Sequence, residues 1–355
     1  MNSVHLQKAL VQELQAVGVR LSHPQVVNLA LWSQGLATSH DCHLTNLALH
    51  LPLTGKRQSV VQRLRRFVLQ RPLSWGRGYG QVVRHLFAHW QGREVALVMD
   101  RTDLEQRWSI LVLGVAYRKR LLPLAWRILP FGGTSGAVQM ALLRQVQPYL
   151  PPQARIHYYG DCEFRSVDVQ ECCRNYQWHW QVGLKGDTYV QLASSDWCQL
   201  RNLPLQPGEQ HYWQQVYLTQ QKRFGPVNLL ADWSVNQEQP RFWALDLPAE
   251  RQAWRRGRKR FWIEPTFRDW KSYGFDLERT AIDEAARLQA LVLGLAVTTL
   301  WMIHLGDWLI RHGHHEQLDR INHPDYSLFR LGRDYVQRAQ TLGWAIPVGF
   351  TVTHA

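Results

Sequence analysis

Cysteine is scarce in this sequence and follows no recognisable pattern. Five cysteines occur among 355 residues, and none belongs to a CxxC pair, so neither a disulfide framework nor a common zinc module is indicated. The N-terminus lacks the charged start, apolar core and small-residue cleavage site of a signal peptide, and we therefore expect a cytoplasmic protein. Internal repeats and low-complexity tracts are also absent. These absences leave a globular chain with one large domain or several smaller ones.

Acidic residues are few relative to basic ones. The chain has 28 Asp and Glu against 41 Lys and Arg, which gives a formal net charge of +13. An excess of positive charge favours a polyanionic partner such as nucleic acid. Charge alone is a weak indication, because many basic proteins bind no nucleic acid.

Uninterrupted apolar runs long enough to cross a membrane are also missing. The most apolar stretch, 288–305, is broken by Gln289, Gly294 and His304, whereas a membrane-spanning helix needs about 20 predominantly apolar residues. We therefore predict a buried helix in this stretch and no membrane partner.

The spacing of apolar residues changes near residue 90. Before this point Leu6, Leu10 and Leu14 recur at helical spacing, which predicts a small helical domain. Beyond it the pattern predicts three strands, a helix, a strand, a helix and a strand, at 94–100, 108–117, 121–129, 136–149, 154–160, 164–176 and 178–184. This order predicts an α/β fold, in which a mixed sheet is flanked by helices.

The remaining chain is first β-rich, then basic, then apolar. Short alternating strands are predicted between 186 and 250, followed by a very basic segment at 251–260, a helix that carries Glu264 and an apolar helix to about residue 311. We thus divide the chain into a helical domain, a first part of the core, a β-rich insertion, a second part of the core, and a C-terminal tail or dimerisation segment, at 1–90, 91–185, 186–250, 251–312 and 313–355.

Two acids end or follow strands of the predicted core. Asp100 ends the run at 94–100, and Asp161 follows the run at 154–160. If the first and fourth strands are neighbours, both carboxylates emerge at the same edge of the sheet. Carboxylate oxygens suit Mg²⁺ or Mn²⁺, and two such ions about 4 Å apart can activate a nucleophile and stabilise the leaving oxygen in phosphodiester chemistry. Taken singly, each acid is equally well explained as an ordinary turn residue.

A third carboxylate, Glu264, lies in a basic and aromatic segment. Arg260, Glu264 and Lys271 lie close to one stripe of a helix, whereas Phe267 and Trp270 can face inward. A carboxylate flanked by two cations suits metal binding beside a phosphate backbone, because an acid alone would repel DNA. The alternative is a surface helix held by ion pairs, which is the commoner case when the segment is taken alone.

The most basic piece of the helical region is 55–67. It predicts a helix with candidate contacts to DNA phosphates at Arg57, Arg63, Arg65 and Arg66. A solvated helix face explains this pattern equally well.

The motifs around the three acids resemble those of a known family. The strand at 95–100, the turn at 159–164 and the segment at 260–280 resemble the DDE transposases of bacterial insertion sequences, specifically insertion-sequence family four, over roughly residues 90–310. In that family the second acid lies in an Asp-x-x-Phe turn, and a β-rich insertion separates it from the third acid. A Tyr-x2-Arg-x3-Glu-x6-Lys signature of the family is matched in its last three positions by Arg260, Glu264 and Lys271.

The resemblance implies a ribonuclease H-like catalytic core that holds two Mg²⁺ or Mn²⁺ ions on Asp100, Asp161 and Glu264. It implies cut-and-paste transposition by hydrolysis at each element end and attack of the freed 3′-hydroxyl. The implied partners are double-stranded DNA with terminal inverted repeats, target DNA and a second copy of the chain, inside a bacterium at its nucleoid. Family members release the element through a hairpin, and a tryptophan of the insertion stacks on a flipped base, for which Trp233 and Trp243 are candidates.

The sequence departs from the signature at its first position. A tyrosine is expected where Gly257 stands, so either a nearby aromatic such as Trp254 substitutes or the DNA end is handled differently. Two alternatives stay open: a ribonuclease H-like nuclease that cuts without rejoining, and a decayed transposase that only binds DNA. A structural basic protein would leave the three acids unexplained.

Overall fold

A ten-stranded mixed sheet forms the centre of the computed structural model, which describes residues 2–69, 74–193, 196–280, 282–320 and 325–354. Helices pack on this sheet, and most of its strands are apolar on both faces. The predicted α/β fold with a mixed sheet and flanking helices is therefore confirmed.

The N-terminal region is helical, as its apolar spacing predicts. One face of the first helix buries Leu6, Leu10 and Leu14, and the second helix is buried along nearly its whole length because it lies among the first helix, the fourth helix and a long C-terminal helix. The helices of this region are α1 Ser3–Ala16, α2 His23–Ser39, α3 Leu44–Leu47, α4 Arg57–Leu69 and α5 Tyr79–Leu86.

The next segment supplies half of the sheet. It contains β1 Glu94–Leu104, β2 Trp108–Tyr117, β3 Arg120–Pro130, α6 Gly136–Val146, β4 Arg155–Gly160, α7 Val167–Asn175 and β5 His179–Leu184. The strands lie in the order β3-β2-β1-β4-β5. The first three form an antiparallel meander, and β4 and β5 run parallel to β1. The elements follow one another along the chain in the order that the sequence pattern predicts.

The predicted end of the first strand is wrong. Asp100 lies inside β1, which continues to Leu104 because residues 101–104 stay paired with β2 as far as Trp108. The neighbouring strand β4 ends at Gly160, so β1 projects beyond β4. Asp100 therefore stands on a strand that is paired on one side only at that point, and its side chain can face the space beyond the end of β4.

The β-rich segment extends the same sheet. Its strands are β6 Tyr189–Gln191, β7 Trp197–Gln199, β8 Gln210–Leu218, β9 Phe224–Asp232 and β10 Arg241–Leu245. Strand β10 pairs antiparallel with β5, and the sheet then continues through β9, β8, β6 and β7. The sequence pattern predicts four of these strands, at 188–192, 210–219, 226–232 and 241–247, and does not predict β7, which has only three residues.

The C-terminal third contains α8 Arg251–Gly257, α9 Ile263–Arg268, α10 Ala285–Arg311 and α11 Leu328–Leu342. The helix predicted to carry Arg260, Glu264 and Lys271 is not continuous: residues Arg258–Trp262 are 3-10 helical, and Asp269–Tyr273 are π-helical. The π-helical turn changes the register, so the predicted α-helical stripe does not extend to Lys271. The inward positions of Phe267 and Trp270 are confirmed, because both side chains are buried.

The long apolar helix α10 is a core helix. By length and composition it could cross a membrane, but 83% of its most apolar window is buried inside the fold, as predicted for 288–305. It contacts α2, α4, β3 and α11. The predicted C-terminal tail thus contains α11, which packs along α10.

Two glycines allow α10 and α11 to approach closely. A Cβ atom at Gly306 would lie 2.1 Å from the carbonyl oxygen of Leu328, and one at Gly332 would lie 2.1 Å from that of Met302. We expect Gly306→Ala to lower the free energy of unfolding by about 2 kcal/mol or more, because a backbone atom must move. Urea denaturation followed by tryptophan fluorescence measures this change.

The matched control for this prediction is Gly294→Ala in the same helix. A Cβ atom there would meet its nearest neighbour, a side-chain carbon of Leu36, at an ordinary distance of 3.5 Å. This variant should be as stable as the wild type or more stable by up to about 1 kcal/mol, since alanine favours the helix. Equal effects of the two substitutions would contradict close packing at Gly306.

Candidate functional site

Two neighbouring strands bring Asp100 and Asp161 together. Strands β1 and β4 are parallel, and the last pair in their register is Met99 with Gly160. Asp100 and Asp161 each follow one member of that pair. The predicted adjacency of the first and fourth strands is therefore confirmed.

Each aspartate uses one oxygen locally and turns the other toward a common point. Asp100 Oδ1 accepts a hydrogen bond from the Arg101 backbone N–H at 2.8 Å, and Asp161 Oδ1 accepts one from Glu163 at 2.8 Å. The remaining Oδ2 atoms lie 3.7 Å and 4.0 Å from Nη1 of Arg260. These two oxygens are thus available to a shared cation.

Glu264 lies near the other terminal nitrogen of the same guanidinium. Its Oε1 lies 3.8 Å from Nη2 of Arg260, and half of its side chain is exposed. Two contacts fix the segment that carries it. Thr266 Oγ1 accepts a hydrogen bond from the backbone N–H of Leu121 on β3 at 2.9 Å, and Trp270 donates its indole N–H to Thr299 of α10 at 2.9 Å. The site is therefore held between the sheet and α10.

Burial, together with the neighbouring acids, opposes ionisation of Asp100. Burial, and then the nearby charge of Asp161, raise the pKa of Asp100 to about 7 from an ordinary value of 3.8, although its hydrogen bond from Arg101 and the Arg260 guanidinium act in the opposite direction. Glu264 adds a smaller repulsion. The carboxylates also repel one another, and a divalent cation among them would compensate their charge more fully than one guanidinium.

The donor set fits a hard divalent metal. Carboxylate oxygens are the ligands that Mg²⁺ and Mn²⁺ prefer, and both aspartate Oδ2 atoms face one point. Among the described residues, however, no group of three or more His, Cys, Asp or Glu stands at metal-binding spacing. Arg260 stands between the three acids, so its guanidinium would have to withdraw as metal enters.

Two glycines shape the turn that presents Asp161. A Cβ atom at Gly160 would lie 2.7 Å from the Cβ of Phe164, and one at Gly183 on β5 would lie 2.9 Å from the backbone nitrogen of Cys162. Phe164 is fully buried against this turn. The Asp-x-x-Phe pattern thus has a structural cause, because the phenylalanine anchors the turn while the aspartate faces outward.

An ion pair that the sequence analysis missed ties the two aspartate-bearing segments to each other. Arg101 Nε donates to Glu163 Oε2 at 2.7 Å. The other oxygen of Glu163 accepts from the backbone N–H and the hydroxyl of Thr134, at 2.9 Å and 2.8 Å. Arg101 directly follows Asp100, and Glu163 stands two residues after Asp161. That proximity in sequence was the available signal.

The side chains that are predicted to contact DNA are spread over separate parts of the fold. Lys271 Nζ stands 3.3 Å from Glu278, outside the acid cluster. On α4, Arg63 is half-buried and donates to Asn28 Oδ1 at 2.9 Å. The other three arginines of that helix face solvent, namely Arg57, Arg65 and Arg66. An exposed basic surface is thus present on α4, with Arg63 engaged in holding α2.

The two candidate stacking tryptophans have different surroundings. Trp243 lines a groove of about 1190 Å³ together with Trp254 and several arginines of α8 and its flanks. Trp233 is half-buried outside the lining of that groove, and its indole N–H donates to the backbone oxygen of Gln237 at 2.9 Å. Trp243 is therefore the better placed of the two for stacking on a base.

Gly257 lies against the side-chain amide of Gln181. A Cβ atom at this position would lie 2.4 Å from the amide nitrogen of Gln181, which lines the same groove. A tyrosine could not enter without displacing Gln181. Trp254, one turn earlier in α8, supplies an aromatic ring at the groove, with the Arg258 guanidinium 5.3 Å from its centroid.

Comparisons with known proteins find one matching domain family and one similar solved structure. Residues 132–301 match the family model described as "Transposase DDE domain". The matched range includes Asp161 and Glu264, whereas Asp100 precedes it. No curated protein matches the chain significantly. Among solved structures, the cryo-EM structure of a piggyBac transposase synaptic complex with hairpin DNA is similar, with a TM-score of 0.48 and 7% identity over 93% of this chain and 76% of that one.

Proposed function

We propose that this protein is a DNA transposase that cuts DNA at the ends of a mobile element and joins them to target DNA at Asp100, Asp161 and Glu264. Its residues 132–301 match the transposase DDE domain. The observation that carries the assignment of the site is the convergence of the three carboxylates on the Arg260 guanidinium, at 3.7 Å, 4.0 Å and 3.8 Å. DNA is the partner of this enzyme class, and the net charge of +13 suits it.

Proteins with this domain generally use divalent metal ions. Here two Mg²⁺ or Mn²⁺ ions would be held by Asp100, Asp161 and Glu264, and the metal, when bound, supplies an activated water and stabilisation of the leaving oxygen. The chain's own contribution is positional. The hydrogen bonds to the two Oδ1 atoms and the Arg101–Glu163 ion pair orient the aspartates, and Arg260 can contact a non-bridging phosphate oxygen once metal replaces it among the acids.

The finer assignment is to the insertion-sequence family four group. It is supported by the Asp-x-x-Phe turn, the β-rich segment before Glu264 and the matched positions of Arg260, Glu264 and Lys271. On this assignment the substrates are the terminal inverted repeats and a target duplex, two copies of the chain act on paired ends, and the site of action is the bacterial cytoplasm. Lys271 would leave Glu278 to contact a phosphate.

The N-terminal helices and the tryptophan groove would complete recognition of the element end. The exposed Arg57, Arg65 and Arg66 suit contacts to phosphates, and Trp243 suits stacking on a flipped base. Because Gly257 and Gln181 replace the expected tyrosine, we propose that Trp254 takes over its part in holding the DNA end, including any hairpin formed there.

The test uses purified protein and a labelled duplex that carries the flanking ends of its own gene, in Mg²⁺, Mn²⁺ or EDTA. We expect metal-dependent cleavage at the end, joined products when target DNA is added, and loss of both in Glu264→Gln by about 100-fold or more. Cleavage without joining would favour a ribonuclease H-like nuclease. Binding without cleavage under every metal condition would favour a decayed transposase that only binds DNA.

A further inference from the structure

The segment that carries Glu264 is joined to the sheet by an ion pair at each end. Lys259 Nζ lies 3.2 Å from Oε1 of Glu94 at the start of β1, and Arg120 Nε at the start of β3 donates to Asp269 Oδ2 at 2.7 Å. The second pair is the shorter and the more buried, since its side chains are 17% and 11% exposed, against 31% and 35% for the first. Ion pairs that are short and largely buried hold a set geometry better than exposed ones.

Arg120 stands where the chain has just turned from β2 into β3. The two residues between the strands, Arg118 and Lys119, have φ of 42° and 63°, and the strands are paired on both sides of this turn. The next residue of β3, Leu121, donates its backbone N–H to Thr266 Oγ1 at 2.9 Å. Strand β3 therefore holds the segment at two positions, two and five residues after the glutamate.

A π-helical turn begins at Asp269 and directs consecutive side chains to two different elements. Asp269 accepts from Arg120 of β3, and Trp270 donates its indole N–H to Thr299 of α10 at 2.9 Å. Turns of this kind are rare and occur frequently at functional sites. The ion pair is thus the contact that joins this turn to the sheet on which Asp100 stands.

Asp269 is mostly ionised at neutral pH in spite of its burial. Burial raises the pKa of Asp269 to about 6 from an ordinary value of 3.8, whereas the guanidinium of Arg120 and, less strongly, those of Arg333 and Arg268 act in the opposite direction. A buried carboxylate that loses its cation is costly. The two side chains of the pair therefore stay together under the conditions of a cleavage assay.

Glu264 depends on its backbone for its place in the site. Its side chain is half exposed, and its contact with Arg260 is 3.8 Å long, which is longer than a hydrogen bond. The distance of its carboxylate from Asp100 and Asp161 is therefore set by where the backbone of the segment lies on the sheet.

We propose that Arg120 and Asp269 are positioning residues for the third carboxylate of the metal site. Their ion pair holds the π-helical turn against the start of β3, and thereby holds the backbone at Glu264 at one distance from the two aspartates. This inference rests on the proposed function and deepens it, because it adds two residues that act through Glu264. Removal of groups that support metal ligands typically lowers metal affinity by about 10- to 100-fold.

The test measures metal binding without catalysis. The full chain is titrated with Mn²⁺ in the absence of DNA, and free Mn²⁺ is followed by electron paramagnetic resonance. We expect Asp269→Asn and Arg120→Gln each to weaken Mn²⁺ binding about tenfold. The double variant should bind Mn²⁺ no more weakly than either single variant, because the two side chains act as one pair. Arg120→Lys, which keeps the positive charge, should recover part of the affinity that Arg120→Gln loses.

Two controls remove the same charges from neighbouring positions. Lys119→Gln removes an exposed cation from the turn before β3, and Asp276→Asn removes the acid that pairs with the exposed Arg279. Both controls should bind Mn²⁺ as the wild type does. Binding of the labelled DNA end in EDTA, measured by fluorescence anisotropy, should be unchanged in every variant because each of them keeps its fold.

Unchanged Mn²⁺ binding in Asp269→Asn and Arg120→Gln would overturn the positioning role. Loss of Mn²⁺ binding together with loss of end binding would also overturn it, since the pair would then support the fold as a whole. In a parallel cleavage assay, the Mg²⁺ concentration for half-maximal cleavage should rise about tenfold in both variants. If the wild type binds Mn²⁺ but cuts no DNA, the proposed function fails, and the Mn²⁺ affinities still decide the positioning role. A wild type that binds no Mn²⁺ would overturn both.

Discussion

Asp161→Asn is expected to lower the rate of DNA-end cleavage by about 1000-fold or more while leaving end binding intact. The amide keeps an oxygen that can accept the hydrogen bond from Glu163, so the turn should hold its shape. It removes the negative charge that, with Asp100 and Glu264, would hold the metals. Because an acid beside DNA repels phosphate, binding should stay equal or become slightly tighter. Gel-based cleavage and fluorescence anisotropy measure the two quantities separately.

The matched control for this variant is Glu171→Gln. Glu171 is exposed on α7, outside the acid cluster, and its substitution removes the same charge from the same region of the chain. Cleavage by the control should be close to that of the wild type. Unchanged cleavage by Asp161→Asn would remove Asp161 from the site, and loss of binding together with cleavage would indicate that the turn has lost its fold.

Arg260→Gln is expected to destabilise the metal-free protein, by about 1–3 kcal/mol. The guanidinium is the cation that stands among the three carboxylates, and its side chain is only 17% exposed. Without the guanidinium, the three carboxylates lose the positive charge that compensates them, and the carboxylate of Asp100 is largely buried. This loss of stability is smaller than that expected for a fully buried ion pair, because Glu264 is half exposed. Thermal unfolding in EDTA should show a Tm that is lower by several degrees.

Mg²⁺ should reduce the difference in Tm between Arg260→Gln and the wild type. A divalent ion compensates the same carboxylates, so the Tm of Arg260→Gln should rise more on addition of Mg²⁺ than that of the wild type. Arg268→Gln is the control, because Arg268 is exposed on α9 in the same segment. Equal Tm values in EDTA for Arg260→Gln and the wild type, or a difference that Mg²⁺ does not change, would contradict the placement of Arg260 as the cation of this site.

The three acids could be nominated from the sequence because strand periodicity is local. Apolar runs at 94–100 and 154–160 predict strands that lead to Asp100 and Asp161, and Asp-x-x-Phe marks the turn after β4. The end of β1 could not be predicted, since residues 101–104 are polar in part and are kept in the strand by pairing with β2. The break in the helix of Glu264 was also hidden, because the π-helical turn at 269–273 packs against neighbours that are distant in sequence.

The interactions that could not be predicted join segments that are distant in sequence. Arg101 and Glu163 are 62 positions apart, and the partner of Thr134 is likewise Glu163. Gln181 lies against Gly257 because β5 and α8 meet at the edge of the groove. The sequence gives the two residues of such a contact but not the distance between them. For the same reason, the sequence could not show that Arg63, a candidate DNA contact, donates a hydrogen bond to Asn28.

Local patterning in the sequence by itself determined the α/β class, the helical N-terminal region and the strands that present Asp100 and Asp161. Only the tertiary structure decided that the β-rich segment extends the same sheet, that Arg260 stands between the acids, and that Arg101 pairs with Glu163. The physical reason is that hydrophobic periodicity is a local property of a single helix or strand. Strand order, charge compensation and the pairing of buried polar groups arise only when separate segments pack together.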